Sequence, residues 1–111
     1  MTPSKFRSLA LSISGAVESA HMNHPDFRLQ GRIFATLAYP DDQHGMVKLT
    51  PAQQKQFIQD APQVFTSCSG AWGRSGATAV HLPSARVPLI RSALQLAAGN
   101  LTANTISSRH R

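Results

Sequence analysis

The residues best suited to chemistry fall in one stretch, Gly70-Ala71-Trp72-Gly73-Arg74-Ser75-Gly76-Ala77-Thr78, which holds the sole tryptophan between two apolar runs. A large aromatic and a guanidinium on tightly turning backbone suit base stacking and phosphate contact. The same residues suit a sharp turn pinned by a core tryptophan. Catalytic motifs fail on this stretch residue by residue. Ala77 stands where the second glycine of a G-x-S-x-G nucleophile elbow belongs. No Gly-Lys-Ser/Thr follows to make a Walker A loop. Gly73-Arg74-Ser75-Gly76 spells the GxxG of KH clamps, but those clamps join two helices, and here a strand pattern follows.

Other reactive residues are thinly spread. Asp41-Asp42 is the only adjacent carboxylate pair, and it lies in a turn cluster that does not present two acids across a substrate. His21, His24 and Asp26 could begin a metal site, yet no second cluster completes a four-ligand set, so neither a metal nor a cofactor is expected. Asp26 is better suited to a turn or to pairing locally with Arg28. Cys68, the only cysteine, reads as a small buried hydrophobe, because Ser67 and Ser69 offer no charge to lower its pKa.

The surviving constellation is basic. Eleven Lys and Arg stand against five Asp and Glu, for a net charge of +6, and eight of the eleven cations are arginine. Arginine combines a planar fork for phosphate with a face for stacking, so an anionic partner is expected, nucleic acid first. Arg28 and Arg32 flank the start of the strongest strand, Lys48 projects from the following hairpin, and Arg74 tops the glycine-rich stretch. Together with Trp72, and with His24 or His44, they would form a rim that contacts phosphates without reading sequence. The alternative is four scattered, solvated cations and a buried tryptophan.

Elements that could position these residues follow from periodicity. Ser4 to Ser14 reads as a helix with Phe6, Leu9, Ala10 and Ile13 on one face, capped at Ser4 and ended at Gly15. Ala16 to Leu29 reads as extended chain and turns. Gly31 to Tyr39 reads as a central strand, because Ile33, Phe34, Leu37 and Tyr39 place apolar groups on both faces. Met46 to Leu49 is its return strand across a turn at Pro40–Gly45. Thr50-Pro51-Ala52-Gln53 opens a helix with a capping box, and that helix stops before Pro62. Val64 to Ser67 and Ala77 to Leu82 read as strands. The last helix opens at Pro83-Ser84, with Val87, Ile90, Leu94, Ala97 and Leu101 as its apolar stripe and Gly99-Asn100 as its end. With 111 residues, 41% of them hydrophobic and 14% charged, the chain is expected to be a single α+β domain with an antiparallel sheet backed by about three helices. No apolar run reaches the ~20 residues of a membrane span, and a lone cysteine suits a reducing compartment, so a cytoplasmic protein is expected.

Four segments in register resemble the MmcQ/YjbR family of small bacterial proteins. They are His24-Pro25-Asp26-Phe27-Arg28, Ile33-Phe34-Ala35-Thr36-Leu37, Gly45-Met46-Val47-Lys48-Leu49-Thr50-Pro51 with Gln53-Gln54, and Gly70-Ala71-Trp72-Gly73-Arg74 with Gly76-Ala77-Thr78. The likeness extends from Phe6 to about Leu101 and departs at His44, where relatives often carry an aromatic residue. It implies a fold similar to frataxin and CyaY in a double-wing arrangement, residues 1–101 forming the domain and 102–111 a mobile basic tail. It also implies a non-enzymatic DNA-binding protein, with Arg28, Arg32, Lys48, Trp72 and Arg74 on the nucleic acid. The alternative is a small-molecule or protein-interaction module, with an anion-binding pocket formed by His24, Asp26 and Thr78. A monomer is the favoured state. Frataxin-like iron binding is not expected, since iron surfaces of that kind are acidic and this chain has only five carboxylate side chains.

Overall fold

The computed structural model describes the backbone of residues 1–109 and the side chains through Thr102. The chain begins with helix α1 (Pro3–Leu11), continues through strands β1 (Val17–His21), β2 (His24–Leu29), β3 (Arg32–Leu37) and β4 (His44–Lys48), and enters helix α2 (Pro51–Asp60). Strand β5 (Phe65–Ser67), the short helix α3 (Gly70–Arg74), strand β6 (Ala77–His81), a 3-10 turn (Leu82–Ser84) and helix α4 (Val87–Arg109) complete it. All neighbouring strands are antiparallel, in the order β1-β2-β3-β4-β6-β5. The α+β architecture expected from sequence is therefore present, with a six-stranded sheet and four helices.

Local chemistry explains most boundaries. Thr50 caps α2 through the Gln53 amide, while the Gln53 side chain accepts from the Thr50 amide, which completes the capping box. Helix α1 is capped by Thr2 instead of Ser4, because Pro3 already occupies the first helical position. Helix α4 runs through Gly99-Asn100, where the sequence pattern ended it. Asn100 exchanges side-chain hydrogen bonds with Gln53 of α2, and that tie gives it a partner within a continuing helix. Of the segment expected to be a mobile tail, residues 102–109 continue the backbone of α4, and 110–111 lie outside the described residues.

The two faces of the sheet differ. Phe27, Leu29, Phe34, Ala35, Leu37, Val47 and Val80 face one side, where α1 and α4 pack on them through Phe6, Leu9, Ile90, Leu94 and Ala97. Helix α2 closes the β5 edge, with Phe57 edge-on to Phe65. The other side carries only a small cluster, Met46, Cys68, Ala77 and Ala79, against which Ile33, Tyr39 and Trp72 pack. No long helix covers that side. One extra residue in β3 sets this division: Phe27 pairs with Ala35 and Arg28 with Ile33, so Phe34 is bulged and turns into the helical core. That bulge is why the adjacent residues Phe34 and Ala35 both face the helical core, while Ile33 serves the other face.

Strands β1 and β2 occupy the region expected to be irregular. They are joined by Met22-Asn23, and β2 and β3 by Gln30-Gly31, all four residues at positive φ, as in type I′ hairpin turns. Neither pair is the Asn-Gly of the sequence signature. Strand β1 is an edge strand with four of five residues exposed, so it lacks the alternation that marks a half-buried strand.

The glycine-rich stretch is also a correction, being a one-turn helix and not a loop. It is clamped from behind by Gln54, a buried α2 side chain that donates to the Gly73 carbonyl at 3.0 Å and to the Ala77 carbonyl at 2.9 Å. A Cβ on Gly76, at φ +116°, would collide with the Leu49 carbonyl. Gly76→Ala is accordingly expected to lose at least about 1–3 kcal/mol from backbone conformation alone, more with the clash, as measured by urea unfolding.

Candidate functional site

Strand alternation sorts the chemistry-bearing side chains onto the uncovered face. Register places Ser19, His21, His24, Asp26, Arg28, Thr36, His44, Met46, Lys48, Ala79 and His81 on that side. All four histidines among the described residues are included. Tyr39 and Trp72 join them from the β3–β4 connection and from α3.

Asp26 anchors the arrangement. Its carboxylate is fully buried and accepts from Arg28 twice, Nε to Oδ1 at 2.8 Å and Nη2 to Oδ2 at 3.0 Å. His21 Nδ1 donates to Oδ2 at 2.8 Å, which leaves Nε2 as the free ring nitrogen. The Arg28 hydrogen bonds, aided by His21, hold the Asp26 carboxyl below its usual range despite burial. The expected pairing of Asp26 with Arg28 is thus present, and its second arm reaches β1.

Beside this group lies a cavity of about 350 Å³ lined by His21, Met22, His24, Thr36, Tyr39 and Trp72. Its rings interlock edge-on: His24 to Tyr39 at 6.1 Å and Tyr39 to Trp72 at 5.3 Å between centroids. Two lining residues carry buried polar atoms without partners, His24 Nδ1 and Thr36 Oγ1. Thr36 is only 1% exposed. Among the described residues no lysine or arginine lines the cavity. A second depression of about 230 Å³ lies across Tyr39 and includes His44 and Cys68. His44 there bonds to Asp41 at 2.7 Å, and burial pushes the Cys68 thiol up to about 11, which removes it as a thiolate nucleophile near neutral pH.

Three of the four cations, Arg28, Lys48 and Arg74, gather at the end of the uncovered face where β2 and β4 end. Arg28 pairs in register with Ile33 and Lys48 with Ala77, both on the uncovered face, whereas Arg32 pairs with Leu29, so alternation turns it to the helical side. Lys48 Nζ donates to Ser75 Oγ at 2.8 Å, which carries the charge to the end of α3 beside Arg74. Arg32 and Arg74 are exposed, and no salt bridge engages either one. Arg28, Lys48 and Arg74 are therefore grouped, and Arg32 stands apart from them across the sheet. His44 is not with them; it sits at the opposite end of β4, opposite His81.

Of the expected pocket residues, His24 lines the cavity and Asp26 supports it from beneath. Thr78 does neither. It is fully buried on the helical side, in register with Val47, and its hydroxyl donates to the Gly76 carbonyl at 2.8 Å. Sequence reasoning missed Met22, Thr36 and Tyr39, and weighed His21 only as a metal ligand. The available signal was the spacing His24, Asp26, Arg28, which places three polar side chains on one face of a strand. Among the described residues no group of three or more His, Cys, Asp or Glu could hold a metal ion. No helix among them is long and apolar enough to cross a membrane.

No protein-family model and no curated protein matches this chain. Among solved structures it is similar to Deinococcus radiodurans protein DR2400, which carries the DUF419 domain, with 16% identity and a TM-score of 0.71 over 86% of this chain and 75% of that one. The likeness is one of fold: a single domain with an antiparallel sheet and helices.

The Asp26 network makes a pH-dependent prediction. A carboxylate with a depressed folded pKa adds stability above its unfolded value, and that stability is lost as pH falls through the folded pKa. Arg28→Ala strands Asp26 as a buried charge and is expected to cost about 1–3 kcal/mol near neutral pH, less than a fully buried pair because Arg28 is partly exposed. The gap between variant and parent should close as the solution is acidified through the carboxylate range. Urea unfolding of both proteins across that range is the measurement.

Proposed function

We propose that this protein binds single-stranded nucleic acid, DNA by preference, on the uncovered face of its sheet, as a binding protein without a reaction of its own. The observation that carries this reading is the pairing, on one face, of an aromatic-walled cavity with a basic rim at the end of the same strands. A rim of Arg28, Lys48 and Arg74 supplies phosphate contacts. Trp72, Tyr39 and His24 supply rings against which unpaired bases pack, each worth about 1–3 kcal/mol. Arg28 and His24 share the uncovered face of β2 four positions apart, about 13 Å along the strand, a span that a few nucleotides cross.

The charge distribution supports an anionic polymer. Of the five carboxylates, Asp26 is neutralised by Arg28, Glu18 engages Arg7 on the helical side, and Asp41 bonds to His44. The resemblance of four segments to the MmcQ/YjbR family and the fold shared with a DUF419 domain, itself related to that family, point the same way. An anion pocket is the weaker alternative, because the cavity has no cation in its lining.

Binding of a single-stranded oligonucleotide should weaken linearly in log–log form with salt, with a slope of about −2 if the three rim cations neutralise phosphates. Alanine at Lys48 or Arg74 should each reduce that slope by roughly 0.7 without changing base preference. Fluorescence anisotropy at several salt concentrations measures both. Binding to duplex as tight as to single strand, or no binding at low salt, overturns the reading.

A further inference from the structure

We infer that the cavity between the β1–β2 turn and Trp72 is a recognition pocket for one nucleobase, which reads the base's hydrogen-bonding edge through Thr36 and His24. This rests on the nucleic-acid reading above and adds to it a defined subsite. The rim alone predicts binding indifferent to base identity; the pocket predicts discrimination.

Three features of the cavity select a nucleobase. The first is size: about 350 Å³ is at the low end of small-molecule pockets, enough for one base with part of its sugar and too little for a folded or polymeric ligand. The second is wall chemistry. Trp72, Tyr39 and His24 offer aromatic surface, Met22 offers a flexible thioether, and no cation is present, so the cavity suits an uncharged planar ring. The third is the pair of orphaned polar atoms in two lining residues, Thr36 Oγ1 and His24 Nδ1, which lie closed to water beneath the cavity surface, so a base edge meets them as the lining shifts. Buried donors and acceptors are nearly always paired, and one left unpaired costs free energy that a ligand with a matching edge returns. A hydroxyl both donates and accepts, and a neutral imidazole nitrogen does one or the other, so the two together can match the mixed donor and acceptor edge of a base. His21, held by Asp26 through Nδ1, adds Nε2 as a third polar group on the same wall.

Met22 supports the assignment from the backbone. It has φ +49° in a turn where asparagine or glycine is cheaper, and it is 85% exposed. An exposed methionine in a left-handed conformation is hard to explain by folding alone. At the cavity mouth it is placed to close over a bound ring.

Trp72 is the only tryptophan, so its fluorescence reports occupancy directly. The test titrates the full chain with the four deoxynucleosides, which lack phosphate, and separately with a single-stranded oligonucleotide. A saturable change in Trp72 emission is expected with at least one deoxynucleoside, with clear preference among the four. Thr36→Val should weaken binding of the preferred deoxynucleoside about tenfold, and Thr36→Ser, which keeps the hydroxyl, should restore most of it. The deoxynucleoside titration itself needs no variant, so a poorly folded Thr36→Val protein does not remove the test. No emission change with any deoxynucleoside at millimolar concentration overturns the pocket, whether or not the oligonucleotide binds. Equal affinity of the Val and Ser variants overturns the role of Thr36. An oligonucleotide that binds while deoxynucleosides do not leaves the rim reading intact; deoxynucleosides that bind while the oligonucleotide does not support the pocket and overturn the strand reading.

Discussion

A buried carboxylate organises the uncovered side of this molecule. Asp26 sits in the middle of β2 with no solvent access, a position that is costly to occupy unless the charge is paired and hydrogen-bonded. It meets that requirement with three hydrogen bonds, two from Arg28 and one from His21. Each partner is thereby held in place for a different purpose. Arg28 is fixed at the inner edge of the basic rim. His21 is fixed as a cavity wall with one nitrogen free. The carboxylate thus links the charged and aromatic halves of the site, and it also ties the edge strand β1 to β2 through a side-chain contact that their ladder alone does not provide.

A second constraint comes from the other end of the face. Trp72 reaches the cavity only because α3 is held against β6, and Gln54 does that holding with two hydrogen bonds from the buried side of α2. The tightness of this junction accounts for the glycines. A Cβ at Gly73 would run into the Cys68 carbonyl, and one at Gly76 into the Leu49 carbonyl. The stretch that looks most like a functional loop is glycine-rich for packing reasons, while Trp72 and Arg74, carried by the same turn, face the open side and its basic end.

The sequence made some parts of this legible and hid others for identifiable reasons. The α2 capping box, the β3–β4 hairpin and the α4 stripe are local patterns, and each forms where its residues lie. Strand β1 was invisible because an exposed edge strand has no alternation to display, and its turn uses Met22-Asn23 in place of the usual glycine pair. The helix at Gly70 was hidden by its glycines, which suggest a loop. Among site residues, the cations and Trp72 could be named from type and spacing. The cavity could not, because Thr36, Tyr39 and Met22 come from different elements, and a threonine inside a good strand looks like filler. Thr78 was misplaced for the converse reason: beside a conspicuous loop it seemed functional, whereas strand parity turns it into the core.

The distribution of broken local rules carries the functional argument further than charge does. On the helical side the core is closed, the bulge at Phe34 fills it, and the buried hydroxyl of Thr78 finds a carbonyl. On the open side Met22 holds a left-handed conformation that methionine disfavours, and Thr36 and His24 bury polar atoms without partners. Sequences that specify a fold are consistent across levels except where function requires otherwise. A sheet that needed only to be stable would replace Thr36 with valine, a similar shape without an unsatisfied hydroxyl, and Met22 with glycine. That these departures converge on one cavity, next to the one fully buried carboxylate, locates the work of the protein on the face its helices leave bare.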